Sequence, residues 1–340
     1  MATIIDIAKH LQLSKSTVSR ALTGSEGVSE KTRKLVKQTA EEMHYSVNRM
    51  AQNLVNKQTH TIGFMIPDIA DDFYSPMAIA TENVLEQAGY TVSYMNMQRT
   101  TERAYHFLQR AEENHWDGAF ITVDDWNESI CAKLRSMHMP IISLRRKVPA
   151  DIAGQIPCVD SDRSEAVERG INYLISLKHK NILFIGYNSL VGLEASNTFR
   201  QCMRKRGLSE FISMNDFYKD TSMRIQQGYT ATRKICELHP EITAIFVGND
   251  YLALGALQFL HEKGVQVPQD MSVLGYDDRE ISSLFCVQLS TIHHQSQLIG
   301  EKAGELMLQM LHETRKHPEY QSVAIPTTLC IRQTTGICQK

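Results

Sequence analysis

Lys15, Ser16, Ser19 and Arg20 lie so close together that helical spacing turns them to one side, while Val18, Ala21 and Leu22 turn to the other. A guanidinium can donate two parallel hydrogen bonds to O6 and N7 of guanine, and ammonium and hydroxyl groups suit base edges and phosphate oxygens. Ser14 stands where it can cap this segment. A stubby helix with a polar exposed face has the shape of an element that enters a DNA groove. The element before it must hold it in place. Thr3 can cap a first helix, Asp6 completes a capping-box spacing, and Ile4, Ala8 and Leu11 share one face. A third helix, Glu30 to Met43, follows its cap Ser29 with Leu35, Val36, Ala40 and Met43 expected inward.

The order of these caps, with Thr-Val-Ser-Arg at 17–20, Val-Ser-Glu-Lys-Thr-Arg at 28–33 and Met-Ala-Gln-Asn-Leu-Val-Asn-Lys at 50–57, resembles the lactose-repressor (LacI/GalR) family. The resemblance continues to Ile331-Arg332-Gln333-Thr334-Thr335. It implies that Lys15, Ser16 and Arg20 meet base edges, with Thr3, Ser14, Thr17, Ser19 and Tyr45 near phosphates. It also implies a hinge helix at about Val47 to Asn56, capped by Asn48, whose Leu54 wedges into the minor groove at the operator centre. So short a helix is marginal alone in water, so its folding is expected to depend on DNA and a partner hinge. Two departures, Thr23 where the family often has Asn and Gln52 where it often has Arg, leave the exact operator outside what the resemblance carries.

Charge is divided along the chain. Residues 1–57 carry 9 Lys or Arg against 5 Asp or Glu, and the remainder carries 27 against 33. A basic head on an acidic body fits one local phosphate-binding surface and excludes nucleic-acid coating by the whole molecule. No basic-then-apolar leader and no apolar run of membrane-spanning length is seen, so a cytoplasmic protein without a membrane partner is expected. The 7 cysteines are scattered singly, as reduced thiols would be.

From Thr61 onward apolar strands alternate with amphipathic helices. Strands are expected at Thr61 to Pro67, Thr91 to Met97, Gly118 to Val123, Pro140 to Leu144, Asn181 to Tyr187, Ala244 to Val247 and Ser272 to Gly275. The helices between them are expected near Ser75 to Gln87, Glu102 to Glu113, Ser164 to Leu177, Asn197 to Lys205, Arg224 to Cys236, Tyr251 to Glu262 and Gln297 to His312. This alternation predicts an α/β fold of two lobes with parallel sheets covered on both faces. The expected division is a helix-turn-helix headpiece at 1–46, a hinge and linker at 47–60, and an effector-binding and dimerisation domain at 61–340. The stretches near Val159-Asp160, Thr291-Ile292 and Pro326 to Leu329 are where the chain would pass between lobes, giving 61–160 with 292–325 and 161–291 with 326–340. That arrangement is the type I periplasmic-binding-protein form which this part of the family resembles.

Open α/β sheets present ligands beyond the carboxyl ends of their strands. Asp71, Phe73 and Tyr74, then Asp124, Arg146, Asn249 and Asp277, each follow such a strand. The family resemblance implies that these positions line an effector cleft, where carboxylates and amides suit vicinal hydroxyls and an aromatic face covers a sugar ring. Where many relatives carry an effector-binding Arg ahead of an aromatic, this chain has Ala195 ahead of Phe199. Arg145-Arg146 stands where relatives usually have Asp-Arg. Arg145 is expected to face solvent; turned toward the cleft mouth, it would favour an anionic sugar derivative. His293-His294 would point to opposite faces of a strand, so no metal site is expected, and no cofactor motif is present.

The reading is therefore a repressor, not an enzyme, that binds double-stranded operator DNA as a homodimer under control of a sugar-like effector. A sugar receptor without DNA function and a sugar- or nucleoside-metabolising enzyme are the alternatives, since fold alone excludes neither.

Overall fold

A computed structural model describes residues 2–23, 26–45, 58–216, 222–313 and 320–339. The expected hinge helix, with Asn48 and Leu54, lies outside the described residues. The chain divides into two compact units, Met1–Thr59 and His60–Lys340.

In the first unit, helices α1 (Ile4–His10), α2 (Lys15–Thr23) and α3 (Glu30–Glu42) enclose Ile7, Ala8, Val18, Ala21, Val36 and Ala40. Ile4, Leu11, Leu22, Met43 and Tyr45 pack partly buried around that core. Leu35, expected inward, is instead 49 % exposed, because Val36, Thr39 and Ala40 form the buried stripe of α3 and place Leu35 beside it. The α1–α2 turn closes through Gln12, a non-glycine residue at φ 53°, with Leu13 N–H donating to the Ala8 carbonyl at 2.9 Å.

The second unit contains two six-stranded sheets. The first holds β1 (Thr61–Ile66), β2 (Thr91–Asn96), β3 (Gly118–Ile121), β4 (Ile141–Leu144), β5 (Cys158–Ser161) and β11 (Val323–Ile325) in the order β11-β5-β4-β3-β1-β2, every pair parallel. The second holds β6 (Ile182–Tyr187), β7 (Phe211–Asn215), β8 (Ala244–Val247), β9 (Ser272–Asp277), β10 (Ser290–His293) and β12 (Thr328–Cys330) in the order β12-β10-β9-β8-β6-β7. Only the β10–β12 pair is antiparallel. Apolar clusters cover both faces of each sheet, as near-continuous buried strands require.

Helices α4 (Ser75–Gln87), α5 (Thr101–Glu113), α6 (Glu128–Ser136) and α11 (Ser296–Leu311) belong to the first lobe. Helices α7 (Arg163–Ser176), α8 (Leu190–Lys205), α9 (Ser222–Leu238) and α10 (Asp250–Glu262) belong to the second. Four differences from the sequence reading have local causes. Helix α8 begins at Leu190 rather than Asn197, since Ser189 caps it by accepting from Gly192 N–H at 3.1 Å. Gly192 is required there because a Cβ would collide with the Tyr187 carbonyl. Helix α6 is a short insertion capped by Asn127, and β7 is a half-buried edge strand without a continuous apolar run. The short strands β5, β10 and β12 occupy the stretches expected to be plain crossings.

The chain passes between the lobes three times: from β5 to α7, from β10 to α11, and from β11 to β12. These crossings are stitched together. Ser161 Oγ lies 2.5 Å from His294 Nδ1, Gln295 donates to the Pro326 carbonyl at 2.6 Å, and Thr327 donates to Glu165 at 3.0 Å.

Candidate functional site

In the first unit, Ser14 Oγ accepts from the Thr17 N–H at 3.1 Å, capping α2 as its spacing predicts. Lys15, Ser16 and Arg20 are exposed on that helix, and Thr17 and Ser19 are half-buried. No acidic side chain sits in its first turn, leaving the positive end of its dipole available to a phosphate. The Ser16 and Thr17 hydroxyls each lie 2.8 Å from Ser14 Oγ, forming one hydroxyl network at the start of the helix. Thr3 is further committed: its hydroxyl donates to Asp6 at 2.7 Å while the Thr3 N–H donates to the same carboxylate oxygen at 2.8 Å. With its proton held by Asp6, the Thr3 hydroxyl can donate to a phosphate only by giving up that bond, which leaves the two bonds of the capping box in place. Tyr45 follows a left-handed His44 that ends α3 and packs its ring on the helical core.

In the second unit, Asp71, Phe73, Tyr74, Asp124, Arg146, Asn249 and Asp277 all line one cavity of about 250 Å³ between the lobes. The sheets explain the convergence. Strand order reverses between β1 and β3 in one sheet and between β6 and β8 in the other, and both reversals open at the carboxyl ends of the strands.

Asp71 is the most connected member. It caps the 3-10 turn Asp72–Tyr74 and accepts from Arg99 at 2.7 Å, Arg279 at 2.8 Å and Arg224 at 3.3 Å. Arg99 comes from the first lobe, whereas Arg224 and Arg279 come from the second, so the carboxylate bridges the cleft. Burial alone would raise its pKa, but Arg279, Arg224 and Arg99 outweigh burial and hold it below the ordinary value.

Asn249 and Asp277 form a second group. Asn249 caps α10 through Oδ1, accepting from Tyr251 N–H at 2.9 Å, which turns its Nδ2 to donate to Asp277 at 2.7 Å. Asp277 sits at φ 111° and Asp278 at φ 54°, conformations costly for a residue with a Cβ and found where a site over-determines its backbone. Asp250 supplies that constraint. Fully buried, it accepts from the N–H groups of Tyr276 at 2.7 Å and Arg279 at 2.8 Å, and from Thr291 and Ser282 hydroxyls. Burial first, then the nearby Asp277 charge, pushes Asp250 up to about 7. Burial also raises Asp277, against the pull of Arg279 and Arg145.

Arg145 does not face solvent. It is 5 % exposed, and its left-handed backbone at φ 63° turns the side chain inward to donate to Asp160 and Ser161, both at 2.7 Å, and to His294 at 3.2 Å. The half-buried Asp160, which rewards this turn, also faces Arg163 at 3.5 Å. Arg146 pairs with Asp124, Nε to Oδ1 at 2.7 Å. Two cations crowd the Phe73 ring, the guanidinium groups of Arg145 and Arg279 lying 4.7 and 5.7 Å from its centroid. The apolar wall comes instead from Val167, Phe184, Val191 and Ala195 of the second lobe.

Reading the ends of strands misses Arg99, Arg163, Arg224 and Arg279, all of which line the cavity. A signal exists for two of them. Arg163 and Arg224 stand in the first turns of α7 and α9, where a cation opposes the helix dipole and needs another reason to be there. His294 is fully buried, and among the described residues no three His, Cys, Asp or Glu side chains gather as metal ligands.

Known proteins share this fold. Residues 3–48 match the family described as bacterial regulatory proteins, lacI family, and residues 171–335 match a periplasmic binding protein-like domain. The chain is 27 % identical over 339 residues to catabolite control protein A of Priestia megaterium, covering 98 % of this chain and 99 % of that protein. It is 27 % identical over 337 residues to the ribose operon repressor of Halalkalibacterium halodurans, covering 98 % and 97 %. Its fold superposes on the lac repressor dimer bound to operator and the anti-inducer ONPF with a TM-score of 0.85 at 24 % identity, covering 98 % and 99 %.

Proposed function

The chain belongs to the lacI family of bacterial regulatory proteins, and from that premise we propose how its two units work. It is a DNA-binding transcriptional regulator, a repressor controlled by a small molecule, and not an enzyme. We assign base reading to Lys15, Ser16 and Arg20 on α2, with Ser14, Thr17, Ser19 and Tyr45 toward phosphates and Thr3 there only once its bond to Asp6 opens. One such helix offers few base contacts, and two-fold symmetry doubles them, so the protein takes a near-palindromic operator as a dimer.

The effector is a small sugar derivative held in the interlobe cleft, with Asn249 and Asp277 toward its hydroxyls. The cleft carries this reading. Seven side chains scattered over more than half of the chain meet in one cavity at the switch points of two sheets. A cavity of about 250 Å³ suits one small ring rather than an extended ligand, since drug-sized pockets run from roughly 300 Å³ upward.

Selection of bound duplexes from a random pool tests the DNA half, and the expected product is a pair of inverted half-sites. Arg20→Ala is expected to cost on the order of 1–3 kcal/mol and to relax one base pair per half-site. Recovery of asymmetric sites only would refute the dimer. An equal loss on every sequence would reassign Arg20 to phosphate.

A further inference from the structure

We propose that the effector is an acidic sugar derivative, a carboxylate or a phosphate ester, whose anionic group lodges among Arg145, Arg146, Arg163 and Tyr276 at the cleft floor. This deepens the reading of the cleft as the effector site and rests on it. Among the residues lining the cavity, six are arginines and three are aspartates. Asp72 and Asp160, beside the cavity, pair with Arg279 and with Arg145 and Arg163, so six cations face five carboxylates, and the remaining buried cation calls for an anionic partner.

The floor shows where the deficit lies. Arg145 and Arg163 share Asp160, Arg145 at 2.7 Å within a hydrogen bond and Arg163 at 3.5 Å beyond one. Both side chains are 5 % exposed. Arg146 stands close enough to Arg163 for the two cations to repel. The buried polar atoms of the floor without a hydrogen-bond partner are the Arg145 Nε and the Tyr276 hydroxyl, and behind them His294 Nε2, which faces Asp277 at 3.8 Å. Because Arg145 can only donate, His294 must accept through Nδ1, which puts its proton on Nε2. All three atoms are therefore able to donate a hydrogen bond, two of them can do nothing else, and among the described residues of the floor no other buried side-chain atom lacks a hydrogen-bond partner. A group rich in acceptors and carrying negative charge answers that set, whereas a neutral hydroxyl brings a further donor.

Arg163 and Tyr276 come from the second lobe and Arg145 and Arg146 from the first, so an anion among them ties the lobes together. Its sugar hydroxyls then extend toward Asn249 and Asp277.

The test is binding to the full chain, read as thermal stabilisation and by isothermal titration. The probes are a pool of aldonates and uronates, a pool of pentose and hexose phosphates, the parent neutral sugars, and inorganic phosphate. One acidic pool is expected to bind on the order of tenfold or more tighter than its neutral parents, weakening as salt rises. Arg163→Gln is expected to lose that preference and Arg163→Lys to retain part of it, which separates charge recognition from misfolding. The pool that binds distinguishes carboxylate from phosphate. Neutral sugars binding as tightly as the acidic pools, and releasing operator, would overturn the anionic assignment and leave the effector cleft standing. Absence of binding by every acidic probe would overturn the assignment, and absence of binding by the neutral sugars as well would overturn the cleft reading with it.

Discussion

At Asp71, one carboxylate serves three guanidinium groups drawn from both lobes. Asp71 and Arg224 are respectively 4 % and 2 % exposed, so their charges are not screened by solvent. Removing one member of a buried charge network is more damaging than never having built it, because the remaining charges stay buried. Asp71→Asn keeps the shape and deletes the charge. It is expected to destabilise the body by about 3 kcal/mol or more in urea unfolding at neutral pH, the range for breaking buried pairs. A loss below about 1 kcal/mol, the level of surface pairs, would mean that Asp72 and Asp277 already neutralise the arginines. Asp71 was legible from the sequence because it follows a buried strand, as were Asp124, Asn249 and Asp277. The partners that decide its chemistry were not. Arg279 lies 208 residues away and Arg224 153, separations that no local pattern encodes. Arg145 illustrates the same limit: the sequence reading turns it to solvent, and only Asp160, Ser161 and His294 explain its left-handed turn inward.

The secondary elements carry a different kind of information. Regular strands and long helices were readable from periodicity, since burial on both faces leaves long apolar runs. Elements set by contact were less visible. Helices α9 and α10 pack so closely that a Cβ on Gly255 would collide with the Ile225 carbonyl, and one on Gly228 with the Leu252 carbonyl. That approach fixes the height of Arg224, one turn before Gly228, above the cleft. The crossings depend on contact as well. His294 joins the second crossing to Ser161 of the first and lies 4.6 Å from the Tyr276 ring. Its pKa is pushed well below the ordinary 6.5, first by burial and then by Arg145, Arg163, His293 and Arg279; Asp277, at 3.8 Å, is the facing anion. The unfolded chain therefore takes up a proton below about pH 6.5 that the folded crossing refuses, and stability falls as pH falls through that value. Urea unfolding at pH 7.5 and 5.5 should show the wild-type chain losing about 1 kcal/mol more over this interval than His294→Gln, within the 1.36 kcal/mol that one proton can contribute per pH unit. Parallel losses in the two proteins would show that the crossing accommodates a charged imidazole.

For the whole molecule, two units joined through residues outside the described structure must exchange free energy if a ligand of one is to control the other. The interlobe cleft can supply it. Asp71 spans the lobes, and an effector that bridges them changes the relative stability of their arrangements by its differential affinity. If one of these arrangements suits two headpieces on an operator better than the other, binding at the two sites is coupled, and the coupling is reciprocal. The factor by which effector changes operator affinity must then equal the factor by which operator changes effector affinity. For ordinary allosteric coupling of about 1–3 kcal/mol, that is roughly 5- to 150-fold. Titrating effector into the protein alone and into the preformed operator complex measures one side; titrating operator with and without saturating effector measures the other. The sign distinguishes an inducer, which binds the operator complex more weakly, from a co-repressor, which binds it more tightly. Equal effector affinity with and without operator would rule out control through the cleft, whatever the effector's charge.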